Sequence, residues 1–299
     1  MWPVRKPTIS ARDSYVTCIS RSRQPDRAWL EGFAERVTEA ATQFEAAVQA
    51  NSLHVLDDKD FKPPYPPASH TGPCDKACQG FCKRDCDKLV KVYTDRMAKT
   101  GAPGREIYET LRMAAHRCPL CGHRDVTTLD HHLPKSRYPF LAVTPANLIP
   151  ACIECNTTKT DTTPAIDVAH TLHPYFDNID EDEWLQAEVL EGSPAALRFL
   201  VSPPEKWSQL MATRARCHFT EFDLDRLYAV QAADELAAIA GALQVQFDAA
   251  GQAGVESYLL DQADSRSATR RNHWTTAMYR ALARSPWYCA GGFALELTT

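Results

Sequence analysis

Cys118-Pro-Leu-Cys121, then Leu129-Asp130-His131-His132-Leu133-Pro134, then Asn147, then Cys152-Ile-Glu-Cys155-Asn156 and Lys159 decide how this chain is read. Each Cys-x-x-Cys pair is a knuckle whose two sulfurs can meet one tetrahedral ion, and Gly122 directly after the first pair lets the backbone turn. Thirty residues separate the knuckles, the span of a strand hairpin plus a loop. Cys118, Cys121, Cys152 and Cys155 are therefore expected to hold one closed, structural zinc, stapling a segment too short for a core of its own.

Between the knuckles, Val126-Thr-Thr-Leu-Asp130-His131 favours a strand, which would put the Asp130 and His131 side chains on opposite faces at its end. Residues 153 to 160 suit a short helix, with Asn156 projecting from its first turn towards that strand end. A hard divalent cation such as Mg²⁺ or Mn²⁺ takes a carboxylate, a carbonyl oxygen and waters, and Asp130 and Asn156 offer the first two. Taken alone, a His pair after Asp can simply be a hydrogen-bonded turn. Only the complete set points to catalysis.

That set resembles the HNH endonucleases of the ββα-metal fold. Asp130-His131-His132-Leu133-Pro134 matches the opening of the family motif, Asn147-Leu148 its central Asn-Leu pair, and Cys152, Cys155, Asn156 and Lys159 its closing Cys-x-x-Cys-His/Asn-x-x-Lys. The resemblance spans about 45 residues of the 299. It implies that His131 is the general base that activates water for attack on phosphorus, that Asp130 and Asn156 hold the catalytic Mg²⁺ or Mn²⁺, and that Asn147 fixes the loop orienting His131. Lys159 would balance phosphate charge, with Lys135, Arg137 and His132 as further substrate contacts. His132 is equally readable as a packing residue. Asn at position 156 stands where many family members have His, a variant the family also uses.

Outward from this centre the chain reads as mainly helical α+β, a small ββα-metal core with structural zinc flanked by helical regions. Three segments are expected: a helical N-terminal region with a Pro-rich connector and a Cys cluster (1–100), the nuclease core (101–165) and a mostly helical C-terminal domain (166–299). After a short basic lead, apolar residues from Trp29 to Val48 at spacings of three to four predict one amphipathic helix from Asp26 to about Ala50. Asp57 to Pro73, containing Lys62-Pro-Pro-Tyr-Pro-Pro67, reads as an extended connector, a spacer in preference to a ligand for aromatic grooves. Cys74, Cys78, Cys82 and Cys86 follow at intervals of four; a break at Gly80 would let them converge on a second zinc, and an unbroken helix would make them one buried stripe. Helices are expected at 87–99 and 104–116, a hairpin at 184–190 with 196–201, and helices at 207–217, 224–249, 255–262 and 272–283.

Charged residues at 24% and apolar ones at 44% are ordinary for a globular protein. With no apolar run of eighteen and no apolar stretch after Arg5 and Lys6, no membrane association and a cytoplasmic location are expected. Eleven cysteines, eight of them in two clusters, then read as metal ligands rather than disulfides. The net charge of −5 speaks against nucleic-acid binding by the chain as a whole, although basic residues outnumber acidic ones between Lys83 and Arg137. No phosphate-cradling Gly-rich loop occurs.

The expected function is metal-dependent DNA cleavage, with the flanking helices supplying specificity, homodimerisation or docking to a regulatory partner such as an ATPase. The resemblance extends this to a prokaryotic restriction or phage-defence effector. The competing reading is a zinc-stapled nucleic-acid or protein-binding adaptor without cleavage activity.

Overall fold

The computed structural model describes residues 1–64, 83–159 and 170–297. Cys74, Cys78 and Cys82 of the second cysteine cluster lie outside them, as do most of the Pro-rich connector and residues 160–169. The chain divides into two compact units, Met1–Asp177 and Asn178–Thr299, so the N-terminal helices and the knuckle segment belong to the same unit.

The first unit opens with α1 (Ala11–Ile19), capped by the Ser10 hydroxyl accepting from the Asp13 amide. The short basic lead expected here is thus partly a helix. Its inward face is interrupted by Ser14, which blurs the apolar period in sequence but is fully buried because its hydroxyl donates to the Val143 carbonyl at 2.7 Å. The single helix expected from Asp26 is split at Gly32 and Phe33 into α2 (Asp26–Glu31) and α3 (Ala34–Gln49). Val37, Ala40, Phe44, Ala47 and Val48 of α3 face the core.

Next come α4 (Lys83–Tyr93), a turn of π-helix at Thr94–Ala98, and α5 (Arg105–Arg112). Leu89, Val92, Tyr93 and Met97 bury their side chains with Tyr15, Phe44 and Phe140 in one apolar core. Strands β1 (Thr128–His131) and β2 (Leu148–Ala151) then pair antiparallel, with Asp130 opposite Ile149 and His131 opposite Leu148. Helix α6 (Ile153–Thr158) follows directly, completing a ββα unit.

The second unit is a hairpin on helices. Strands β3 (Leu185–Leu190) and β4 (Ala196–Val201) pair in the register Leu185 to Val201, within a residue of the expected bounds. They pack on α8 (Leu224–Ser267) and α9 (Trp274–Ala283), with α7 (Gln209–Glu221) before and α10 (Pro286–Cys289) after. Two helices were expected where α8 runs; the interruption is Gly251, whose φ of 62° and ψ of −152° kink the helix at that point. Acidic residues of the stretch Asp180 to Glu183 find partners inside this unit: Asp182 meets Lys206 and the Trp207 indole, Glu183 meets Arg280 and Asp180 meets Arg270. Among the described residues the architecture is therefore mainly helical α+β with two small antiparallel sheets.

Candidate metal and catalytic site

The knuckles meet. Sulfurs of Cys118, Cys121, Cys152 and Cys155 all lie within 4.8 Å of one another, and all four side chains are buried. Four sulfurs on a tetrahedral zinc stand about 3.8 Å apart, given Zn–S bonds of about 2.3 Å, so the cluster suits a structural zinc. The backbone supplies the turns. The Gly122 amide donates to the Cys118 carbonyl at 2.7 Å, and the Cys118 amide to the Arg124 carbonyl at 2.8 Å. Gly122 has a φ of +65°, and a Cβ there would stand 2.9 Å from Nε1 of Trp2, so both backbone and packing require glycine. Shared protons among the sulfurs push Cys118 and Cys155 up from the ordinary thiol range and pull Cys121 and Cys152 down, and these neighbouring sulfurs in turn raise Arg124 against the lowering effect of its burial. Such a set favours a cation that all four thiolates can share.

Next to the knuckles, β1 carries Asp130 and His131, 5% and 7% exposed. The His131 Nε2 lies 2.9 Å from the Ala142 carbonyl oxygen, and the ring meets Tyr93 edge to face at a centroid distance of 4.4 Å. Burial, then the nearby charge of Lys135, pushes its pKa down to about 3, against the opposing pull of the Ala142 carbonyl. The imidazole is therefore neutral at neutral pH. Since a ring nitrogen facing a carbonyl must carry the proton, Nδ1 holds the lone pair.

Burial raises the Asp130 pKa, and the Lys159 ammonium at 3.1 Å opposes the rise. Lys159 also donates to the carbonyls of His131 at 2.9 Å and His132 at 2.7 Å. All three donors of its ammonium are thus used within the protein, tying the end of α6 to the end of β1. Asn156 sits one helical turn earlier on α6, half-buried.

Asn147, with no exposed surface, closes the loop between the strands. Its Oδ1 accepts from the Leu133 amide at 2.8 Å, its Nδ2 donates to the Leu133 and Leu141 carbonyls, and its own carbonyl accepts from the His132 amide at 2.9 Å. Leu141 immediately precedes Ala142, so Asn147 holds the strand-end turn and the carbonyl that fixes His131 in one frame.

The remaining substrate candidates are placed differently. Arg137 pairs with Asp58 at 3.2 Å, and the His132 ring lies tilted at 44° against that of the buried His173, their centroids 4.3 Å apart. Lys135 is partly exposed with its ammonium 5.4 Å from the Tyr93 ring centre. Tyr93, Ala142 and His173 are absent from the sequence-derived site. Ala142 acts through its backbone, which no residue identity signals, and Tyr93 lies far upstream on α4.

Charge is unevenly divided. The unit holding the site has 23 Lys and Arg against 21 Asp and Glu, and the second unit has 10 against 17. The negative net charge therefore belongs to the second unit. Among the described residues no helix is long and apolar enough to cross a membrane.

Protein ea31 of Escherichia phage lambda is 32% identical to this chain over 157 residues, which are 51% of this chain and 53% of that protein. The chain thus spans about half the length of the curated relative it matches. No solved structure matches. The model of the HNH endonuclease family matches residues 118–162, from the first knuckle cysteine past Lys159, and so identifies this knuckle-framed ββα segment as an HNH endonuclease domain.

Proposed function

We propose that the chain is a metal-dependent endonuclease that hydrolyses DNA phosphodiester bonds. One observation carries the reading: a neutral, buried His131 gives Nε2–H to the Ala142 carbonyl beside the buried Asp130 carboxylate, inside the four-cysteine frame. His131 Nδ1 takes a proton from a water, and the resulting hydroxide attacks phosphorus. Asn147 keeps the Ala142 carbonyl and the strand-end turn in register while the proton moves. Asp130 and Asn156 would hold Mg²⁺ or Mn²⁺: both are hard oxygen donors, and a carboxylate driven towards its neutral form by burial gains from a cation. That ion supplies positive charge to the phosphate and to the leaving 3′-oxygen. The partly exposed Lys135 contacts the phosphate backbone, with Arg137 as a second candidate contact, while Lys159 and the buried His132 support the strand end from within.

The test is cleavage of supercoiled, linear and single-stranded DNA by wild type and His131→Ala, with and without Mg²⁺ or Mn²⁺. Metal-dependent cutting that His131→Ala loses at unchanged zinc content is expected. Equal cutting by both proteins would sink the reading.

A non-cleaving, zinc-stapled adaptor is the second reading, favoured by the acidic charge of the second unit. Absence of cutting on any nucleic acid, together with a co-purifying protein, would select it. Beyond the chemistry, the proposed setting is a cytoplasmic restriction or phage-defence system in which the helical regions dimerise or dock a regulatory ATPase. Similarity to a phage-encoded protein is consistent with a phage-related role. Light scattering that returned an isolated monomer with full, unregulated activity would remove the partner from this picture.

A further inference from the structure

Outside the family-matched segment, the Tyr93 side chain reaches the proposed base. Tyr93 is the last residue of α4 and the residue from which the backbone widens into the π-helical turn Thr94–Ala98. Its ring stands 4.4 Å from that of His131, inclined at 73°, and is 8% exposed. The hydroxyl donates to the Leu129 carbonyl at a long 3.4 Å, two residues before His131 on β1. Tyr108 of α5 packs behind it at 6.4 Å, and the Lys135 ammonium stands 5.4 Å from the same ring centre.

A histidine needs such a neighbour for a geometric reason. The hydrogen bond from Nε2 to Ala142 pins one atom, but the outer torsion of a His side chain has a broad, shallow minimum, so the ring plane is not set by that bond alone. A perpendicular aromatic ring in van der Waals contact supplies the second constraint. π-helical turns often occur where a helix must aim one side chain at a functional site, and this one follows Tyr93 directly.

We propose that Tyr93 is a positioning residue for His131, its ring fixing the imidazole plane so that Nδ1 points at the attacking water. The inference rests on His131 being the general base, but it brings α4, far outside residues 118–162, into the reaction. The ring does the work, since the hydroxyl bond is long.

The test uses the full chain with zinc bound, as wild type, Tyr93→Phe, Tyr93→Leu and Tyr93→Ala. Steady-state cleavage of a duplex DNA with Mg²⁺ gives kcat and KM. In parallel, ¹⁵N-histidine NMR follows the His131 Nε2–H proton, identified by its loss in His131→Ala. Phenylalanine is expected to keep kcat within about twofold and to keep a slowly exchanging Nε2–H. Leucine and alanine are expected to lower kcat about 10- to 100-fold with KM nearly unchanged, and to speed exchange of that proton. Tyr93→Leu retains a buried apolar side chain and decides the matter if Tyr93→Ala does not fold. Wild-type kcat in Tyr93→Leu, a Phe variant as slow as Leu, or an unchanged His131 signal in Tyr93→Leu would each overturn the proposal. Should wild type itself fail to cut, the nuclease reading falls, while the NMR comparison still decides whether Tyr93 orients the ring.

Discussion

The Nε2 atom of His131 lies 2.9 Å from the carbonyl oxygen of Ala142, and this contact fixes which ring nitrogen is basic. Burial, followed by the charge of Lys135, holds the pKa near 3, so His131 stays unprotonated across the neutral range. An unfolded chain, with the ordinary His value near 6.5, takes up the proton first. Stability from this group is therefore complete above about pH 6.5 and is lost as pH falls towards 3, by at most about 1.4 kcal/mol per unit. Urea melts from pH 4 to 7 should show a steeper acid loss for wild type than for His131→Gln. Parallel slopes would mean that the imidazole is not held neutral.

Much of this arrangement was legible because metal ligation and strand-end chemistry constrain residue type and spacing together. The four knuckle sulfurs converge and the Asp-His dyad ends a strand, as spacing and β-favouring residues lead one to expect. The interruption of α8 between residues 249 and 255 and the β3–β4 hairpin were also readable, the hairpin from weak alternation on either side of Gly192-Ser-Pro194. Helix α1 was not, because its core-facing Ser14 is satisfied by a carbonyl 129 residues away, and no local pattern encodes that partner. Likewise Lys159 looked like a phosphate-facing cation, whereas its ammonium lies among three oxygens of β1 and the turn after it. Sequence spacing brings a charge to the right neighbourhood without saying which oxygens it meets.

Asn147→Ala should destabilise the first unit more than an ordinary surface change. The substitution strands the buried Leu133 amide and two carbonyls. At about 1–3 kcal/mol for each unsatisfied group, partly relieved by relaxation, a loss of about 2–4 kcal/mol is expected. Thermal melting measures it, and cleavage by the folded fraction should fall as well because the Ala142 carbonyl is no longer held. A melting temperature equal to that of wild type would mean that this loop is closed by other bonds.

Cys118→Ser should remove one zinc per chain. The four sulfurs converge within 4.8 Å, and replacing one thiolate weakens a closed tetrahedral site. Elemental analysis of wild type beside Cys118→Ser gives the difference, and circular dichroism should show the loss of ordered structure around the knuckles. Any zinc that survives in Cys118→Ser would be assigned to the cluster of Cys74, Cys78, Cys82 and Cys86 by the corresponding serine variants. An unchanged zinc content in Cys118→Ser would refute ligation by the knuckles.

Lys159→Met separates the two cations that Asp130 can use. In the wild-type protein Lys159 sits 3.1 Å from Asp130 Oδ2 and also holds the His131 and His132 carbonyls, so its loss leaves a buried carboxylate without its partner. Removing one member of such a pair costs about 3–5 kcal/mol, and the carboxylate responds by taking up a proton more readily. A hard divalent ion bound at Asp130 and Asn156 would restore part of that charge balance. Adding Mg²⁺ should therefore raise the melting temperature of Lys159→Met more than that of wild type, since an ion that binds only the native state stabilises it by RT ln(1 + [Mg²⁺]/Kd), and the tighter site gains more at the same concentration. The double variant Lys159→Met, Asp130→Asn should not respond, because the neutral amide neither needs the ammonium nor attracts the ion. A Mg²⁺ response that persists without the Asp130 carboxylate would locate the divalent ion elsewhere and leave Lys159 as the only cation this carboxylate is built to meet.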